Sequence, residues 1–286
     1  MSAGPAPMEA VTSPWAGRRL RAEELRNRYP FAADVLTLYL ALLPVQEAAW
    51  RSAAKSPSDP EELSPWATAW ILPAVVEATV AAGPATLAAA AESRLGDGAS
   101  AGALAGWLTG AELDPVDRYL ARAALGPVLE GLGERAGAAC TPEQGEELCE
   151  RCGGLPQLSC LASSGDPLVS GSRSLLCSRC GASWSCSRSI CPACAEGGED
   201  KLQVFAERLE GPVSGNGNGN GEDHADPVFP QLRIAGCSTC DRYLIEVDMA
   251  RDERAVPEVD ELVAIPLDLH AADQGLTKVT PNLMGF

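Results

Sequence analysis

The spacing of hydrophobic residues changes near residue 140 and divides the chain into two parts. Before that point, apolar residues recur at intervals of three and four, which is typical of helices with one buried face. The clearest stripe lies between Tyr29 and Trp50 and predicts a helix that Pro44 should kink or divide. The stripe consists of Phe31, Val35, Leu38, Tyr39 and Leu42.

Further signals place more helices in the first part. Residues 55–65 are polar and contain prolines, which predicts a loop. The apolar stretch from Trp66 to Ala91 is broken by proline and glycine, so we expect short helices and no membrane insertion. Asp114 followed by Pro115 is typical of an N-cap and first helical residue, and predicts a helix from Val116 to about Arg135.

The second part is rich in turns and predicts short strands. Residues 182–190 alternate strictly, with serines on one face, which predicts one continuous strand. Residues 242–247 predict another strand, and residues 258–272 a short helix interrupted at Pro266. Ser214 to Gly221 form an Asn/Gly tract that we expect to be a flexible loop.

Four Cys-x-x-Cys pairs occupy this second part and carry its chemistry. Each pair places two thiols on one turn, so two turns can complete a tetrahedral four-thiolate metal site. The pairs therefore predict two metal ions, iron or zinc, held by eight ligands. These are Cys149 and Cys152, Cys177 and Cys180, Cys191 and Cys194, and Cys237 and Cys240.

The spacing leaves the pairing of the turns open. Sequential pairing is favoured, because each site then encloses one hairpin with a Gly/Ser-rich tip. A crossed arrangement is an alternative, while nesting of the second and third pairs is disfavoured by the straight strand between them. A purely structural role for the sites is as probable as a functional one, because a Ser/Gly-rich segment buries little core without them.

A Cys-x-x-Cys turn favours a positive φ angle at the residue that follows its second cysteine, and glycine adopts such an angle most easily. Gly153 and Gly181 suit that conformation, and Asp241 tolerates it. Ala195 fits worst, so we expect a distorted turn at the third pair.

The remaining reactive side chains give weaker signals. Cys140, Cys160 and Cys186 have no paired cysteine and are expected to be small packing residues. We expect His224 to be solvated and His270 to pack or face solvent. Trp184 and Arg188 share the predicted strand face with Cys186; stacking of the guanidinium on the indole is possible, but exposure of Arg188 is favoured. These residues are Cys140, Cys160, Cys186, Trp184, Arg188, His224 and His270.

The net charge of −17 bears on the choice of partner. An acidic chain lacks the cations that bind phosphates unless one patch is locally basic, which disfavours nucleic acid. A zinc-ribbon nucleic-acid-binding protein and a thiol or iron redox protein stay open as alternatives. No signal-peptide pattern begins the sequence, and clustered cysteines suit a reducing compartment, so we expect a cytoplasmic protein.

The order and context of the pairs resemble the formate dehydrogenase accessory protein family, FdhE. The resemblance rests on a helical region followed by Cys149 to Gly153, Leu176 to Trp184, Arg188 to Cys194 and Cys237 to Leu244. The chain departs from the family pattern in its Asn/Gly tract and in Glu150, where a proline is usual.

This resemblance implies a non-enzymatic, chaperone-like protein that binds the catalytic subunit of formate dehydrogenase in the cytoplasm before export. It also implies rubredoxin-like sites, with the eight paired cysteines as ligands. The expected fold is α+β, an N-terminal helical domain followed by two tandem rubredoxin-like or zinc-ribbon modules. The expected divisions are a disordered N-terminus (1–17), a helical domain (18–140), a first ribbon (141–190), a second ribbon (191–250) and a C-terminal tail with a short helix (251–286).

Overall fold

A computed structural model describes residues 14–96, 98–140, 145, 147–162, 171–206 and 228–286. The Asn/Gly tract, most of the predicted first hairpin tip and His224 lie outside these residues. Helices occupy the first half of the chain, and a mixed sheet occupies the second half.

Seven α-helices lie in the described part of the first half. Asp114 caps α7 as predicted, because its carboxylate accepts from the N–H groups of Val116 (2.9 Å) and Asp117 (3.1 Å). Asp59 caps α3 in the same way, so a helix begins within the predicted loop. Pro44 lies inside α2 without dividing it. The helices are α1 (Pro14–Arg28), α2 (Ala33–Ser52), α3 (Pro60–Trp70), α4 (Leu72–Ala82), α5 (Ala85–Gly96), α6 (Ser100–Thr109) and α7 (Pro115–Leu132).

The described strands form one sheet in the order β3-β2-β1-β6-β5-β4, with β7 pairing to β6. Strands β1 and β6 run parallel, as do β6 and β7, and the other neighbours are antiparallel. The strands are β1 (Pro156–Leu161), β2 (Arg173–Cys177), β3 (Ser183–Ser185), β4 (Leu202–Phe205), β5 (Leu232–Cys237), β6 (Arg242–Asp248) and β7 (Thr277–Lys278).

The predicted strand over residues 182–190 is wrong beyond Ser185. Alternating burial continues to Cys186, after which the chain turns and residues 187–190 are exposed. The reason is Arg173, whose guanidinium donates to the carbonyls of Ser187 (3.2 Å) and Ile190 (3.0 Å) and bends this segment away from the sheet edge. The predicted strand over residues 242–247 is confirmed as β6.

The sheet contains two units with the same order of elements. In each unit a cysteine pair precedes a first strand, and a second pair lies between the second and third strands. The first unit uses β1, β2 and β3, and the second uses β4, β5 and β6. The parallel pairing of β1 with β6 joins the two units into one sheet.

The hydrophobic clusters extend across the domain boundaries predicted from the sequence. Core residues of α7 cluster with the first four paired cysteines. Residues of α1 and α2 cluster with β5, β6 and the C-terminal segment. Helix α1 begins at Pro14, earlier than the predicted boundary, and Trp15 is only 2% exposed. The division into domains stays a prediction.

The C-terminal segment is part of the core. Helices α8 (Pro257–Asp260) and α9 (Ile265–Asp273) are separated by a 3₁₀ turn just before Pro266, as predicted. The buried carboxylate of Asp260 binds the buried guanidinium of Arg21 at 2.5 and 2.9 Å, which ties this segment to α1.

One described helical stretch, Pro30–Lys55, is long and apolar enough to cross a membrane, and the bent pair α3–α4 passes the same test if taken together. Core helices of soluble proteins also pass it. In this protein α2 packs between α1, α4 and α7. The absence of membrane insertion stays a prediction.

Candidate metal centre

Each cysteine pair lies on a tight turn whose geometry repeats along the chain. In three turns the residue after the second cysteine donates its N–H to the carbonyl of the first, at 2.8 Å for Gly153, 3.3 Å for Gly181 and 3.0 Å for Ala195. In all four turns that residue has a positive φ angle. The angles are 66° at Gly153, 68° at Gly181, 59° at Ala195 and 53° at Asp241.

The third turn is therefore not distorted, contrary to the expectation from its alanine. Ala195 adopts the left-handed conformation that glycine adopts in the first two turns. Closure of the cysteine turn requires a positive φ angle at this position, so Ala195 adopts one despite the strain that its Cβ atom causes.

The first group brings together Cys149, Cys152, Cys177 and Cys180. Their four Sγ atoms all lie within 4.8 Å of one another. The Sγ atoms of Cys149 and Cys180 are 3.7 Å apart, and those of Cys152 and Cys177 are 3.4 Å apart. Four sulfurs about 2.3 Å from a central ion in a tetrahedron lie about 3.8 Å from one another, so this group could hold one ion.

The second group brings together Cys191, Cys194, Cys237 and Cys240, again within 4.8 Å. The Sγ atoms of Cys191 and Cys240 are 3.8 Å apart, and those of Cys194 and Cys237 are 3.9 Å apart. These distances fit a tetrahedral ion equally well. The grouping is thus the sequential one that the sequence favours.

The two groups differ in their exposure to solvent. Each cysteine of the first group is at most 3% exposed, and the group forms part of the helical core. In the second group Cys194 is exposed and Cys240 is half-buried. A metal ion in the first group would be enclosed by protein, whereas one in the second group would lie near water.

Backbone N–H groups point at sulfur in both groups, as thiolate ligands require. Cys177 Sγ accepts from the N–H of Arg179 at 3.3 Å and from that of Cys180 at 3.5 Å. Cys191 Sγ accepts from the N–H of Ala193 at 3.4 Å. Such hydrogen bonds favour the charged form of the thiol.

Close packing around the first group depends on Gly154. A Cβ atom at this position would lie 2.8 Å from Cys177 Sγ and 3.3 Å from Cys152 Sγ. No side chain fits there without displacing a sulfur. The guanidinium of Arg179 donates to the carbonyl of Cys152 at 2.8 Å and so fixes the first turn from the other side.

The close approach of the sulfurs shifts the pKa values of their thiols in different directions. Hydrogen bonds from Cys152 and Cys177 lower the pKa of the Cys149 thiol, while those with Cys140 and Cys149 raise the pKa of Cys152. Burial raises the pKa of Cys240 to about 11. Binding of a cation by these groups must therefore release protons, and its affinity should increase with pH.

Sequence reasoning missed one thiol at the first group. Cys140 is buried, as predicted, and it clusters with the first group, where interaction with the Cys152 thiol lowers the pKa of Cys140. It lies just after the last helical turn of the first half, nine positions before Cys149 and outside any Cys-x-x-Cys pair, so no spacing signal marks it.

The other residues singled out in the sequence lie outside the two groups. Cys160 is half-buried on β1, and Cys186 is half-buried after β3. Trp184 packs against the core beside Leu175, and Arg188 is exposed, which is the alternative that the sequence favours. His270 lies on α9 and its ring contacts Phe205, with centroids 6.0 Å apart.

Comparisons with known proteins support one family. No family model matches the chain. An FdhE homologue of Aquifex aeolicus is 29% identical over 138 residues, which are 48% of this chain and 41% of that protein. FdhE homologues of Pseudomonas putida and Pseudomonas aeruginosa are each 28% identical, over 48% and 54% of this chain and 37% and 44% of their own lengths. The match thus spans less than half the length of each curated relative.

The fold extends the likeness over nearly the whole chain. The crystal structure of the FdhE protein from Pseudomonas aeruginosa superposes with a TM-score of 0.63 at 23% identity, covering 94% of both chains. The resemblance to the FdhE family that the cysteine pairs predict is thereby confirmed, in sequence by three homologues and in fold by this crystal structure.

Proposed function

We propose that this protein is an accessory factor for formate dehydrogenase that acts by binding and not as an enzyme. Its partner would be the catalytic subunit of that dehydrogenase, held in the cytoplasm before export. The likeness to FdhE proteins in sequence and in fold supports this proposal.

The observation that carries the proposal is the pair of four-thiol groups on one sheet. Each group has sulfur separations suited to one tetrahedral ion. We assign as ligands the eight paired cysteines, Cys149, Cys152, Cys177, Cys180, Cys191, Cys194, Cys237 and Cys240. Four thiolates suit iron and zinc alike, and a rubredoxin-like iron site is the form that the family resemblance favours.

The metal sites would organise the binding surface. The first group packs against α7, and an ion there would join the turn that precedes β1 to the turn between β2 and β3. The second group joins the turn that precedes β4 to the turn between β5 and β6. Filled groups would hold the cysteine turns of the sheet in place, and the helical half packs against the first of them, so both halves could present one surface to the partner.

Metal content can be tested with matched cysteine variants. Cys152→Ser with Cys177→Ser removes two sulfurs of the first group, whereas Cys160→Ser with Cys186→Ser removes two cysteines outside both groups. We expect two metal ions per chain in the wild type and in the second double variant, and about one in the first. Equal metal content in all three proteins would refute the ligand assignment. Red ferric-thiolate absorption would identify iron.

Partner binding is tested by pull-down of the immature catalytic subunit with the metal-loaded full chain. We expect the wild type and Cys160→Ser/Cys186→Ser to retain the subunit, and Cys152→Ser/Cys177→Ser to retain less. Failure of the metal-loaded wild type to retain the subunit would refute the accessory function.

A further inference from the structure

A cavity of about 260 Å³ lies on one face of β4, β5 and β6, and none of its described lining residues belongs to a helix. The opposite face of β5 and β6 carries Ile234, Tyr243 and Ile245, which pack in the core with α1 and α2. Successive side chains of a strand point to opposite faces, so the alternate residues of these strands line the cavity.

The floor of the cavity is apolar. Val204, Ala235 and Leu244 form one row across the three strands, because Val204 pairs with Ala235 and Ala235 with Leu244. Val204, on the edge strand β4, is 61% exposed. Ile190, 39% exposed, contributes to the wall beside it. This floor has room for an aliphatic side chain of another molecule.

The lining is locally basic in a chain whose net charge is −17. Among the residues that the structure describes, four arginines and one carboxylate, Glu246, line the cavity. Arg233 is neutralised by Glu246 (2.8 Å) and by Asp248 (3.3 Å). Arg173 is buried, with its donors directed to Ser159 and to backbone carbonyls.

The other two arginines are available to a ligand. Arg188 and Arg242 are exposed, and neither has an ion-pair partner among the residues that the structure describes. Arg242 lies on β6 opposite Cys237 of β5, and Arg188 lies on the segment that precedes Cys191. Two guanidinium groups beside an apolar floor match a carboxylate that is next to an aliphatic side chain.

We propose that this cavity binds an acidic peptide segment of a partner protein, with its carboxylate on Arg188 and Arg242 and its aliphatic side chain on Val204 and Ala235. The volume lies slightly below the range of about 300–1,000 Å³ that is typical of small-molecule pockets, which suits side chains better than a whole cofactor. The inference goes beyond the proposed accessory function and does not depend on it.

The same features favour a peptide over a nucleic acid. Single-stranded nucleic acids stack on exposed aromatic side chains, and Tyr243, 4% exposed, is the one aromatic residue among the described residues that line this cavity. A long polyanion would also meet the negative field of the rest of the chain, whereas a short acidic segment meets the arginines alone.

The test uses a fluorescent peptide of alternating aspartate and valine, titrated into the full chain at low salt and followed by anisotropy. We expect Arg188→Gln with Arg242→Gln to weaken binding at least tenfold. A matched control, Arg51→Gln with Arg254→Gln, removes the same charge from two exposed arginines outside the cavity and should change the affinity less than threefold.

A second variant keeps the charge and blocks the floor. Ala235→Leu should abolish binding, with an unchanged circular dichroism spectrum. Equal losses in both arginine double variants would refute a specific site. Equally tight binding of an asparagine–valine peptide would refute recognition of the carboxylate. Tighter binding of a single-stranded oligonucleotide with the same arginine dependence would refute a peptide ligand in favour of nucleic acid.

Discussion

Replacement of Ala195 by glycine should stabilise the protein, which is unusual for a substitution that introduces glycine. Ala195 has a φ angle of 59°, in the left-handed region. An L-residue with a Cβ atom is less stable there by about 1–2 kcal/mol than in the right-handed region, and glycine carries no such cost. Because the side chain of Ala195 is exposed, its removal sacrifices little packing.

The gain is partly offset by the greater freedom of glycine in the unfolded chain, which costs about 0.5–1 kcal/mol. The net expectation for Ala195→Gly is an increase of about 0.5–1 kcal/mol in the free energy of unfolding. If the turn orders only when an ion binds, the same ~0.5–1 kcal/mol makes the affinity of the variant for zinc about two- to fivefold higher than that of the wild type.

Urea unfolding of the full chain, followed by tryptophan fluorescence, measures the first quantity, and competition with a chelator measures the second. Ala193→Gly is the matched control, because Ala193 lies in the same turn without a positive φ angle. It should destabilise by about 0.5–1 kcal/mol. A destabilised Ala195→Gly variant, similar to Ala193→Gly, would refute the reasoning from backbone strain.

Three further substitutions test the packing around the sites. Asp260→Ala leaves the buried guanidinium of Arg21 without its main partner and should lower the free energy of unfolding by about 3–5 kcal/mol in urea titrations. Gly154→Ala places a Cβ atom 2.8 Å from a sulfur of the first group and should reduce the metal content to about one ion per chain by elemental analysis. Asp114→Ala removes a helix cap and should cost about 1 kcal/mol at neutral pH. Hydrogen bonds, that of the Asp117 N–H foremost, lower the pKa of Asp114 to about 2, so this cost should be complete above pH 4 and decrease as the pH falls through 2.

Each of these substitutions has a control or a contradicting outcome. Asp273→Ala removes an exposed carboxylate and should leave stability within about 0.5 kcal/mol of the wild type. Gly197→Ala introduces a Cβ atom with only an ordinary contact at 3.8 Å, so the metal content should not change. A cost of Asp114→Ala that stays constant from pH 7 to pH 2 would contradict the assignment of the cap to the carboxylate.

The local features of this protein could be predicted from its sequence. The cap at Asp114, strand β6 and the break before Pro266 depend on residues within a few positions of one another. The cysteine turns are also largely local, because in three of them the N–H of the residue after the second cysteine donates to a carbonyl four positions earlier. The sequential grouping also follows the order of the chain, because each unit closes its own hairpin.

Local reasoning failed where a distant residue determined the conformation. The strand predicted over residues 182–190 stops early because Arg173, on the neighbouring strand, binds the carbonyls of Ser187 and Ile190. The alternation of polar and apolar residues carries no information about that contact. Ala195 likewise adopts a φ angle that its own preference opposes, because closure of the cysteine turn outweighs that preference.

The sequence by itself determined which eight thiols form turns and favoured their sequential pairing, because the turns are short in sequence, while the structure brought the thiols together in that grouping. Only the tertiary structure decided that the first group is enclosed by α7 and the second lies near solvent, and that β1 and β6 join both units in one sheet. It also decided that Arg188 and Arg242, more than fifty positions apart, share one cavity in an acidic protein. The physical reason is that burial and local charge arise from contacts between distant segments, which no pattern of neighbouring residues encodes.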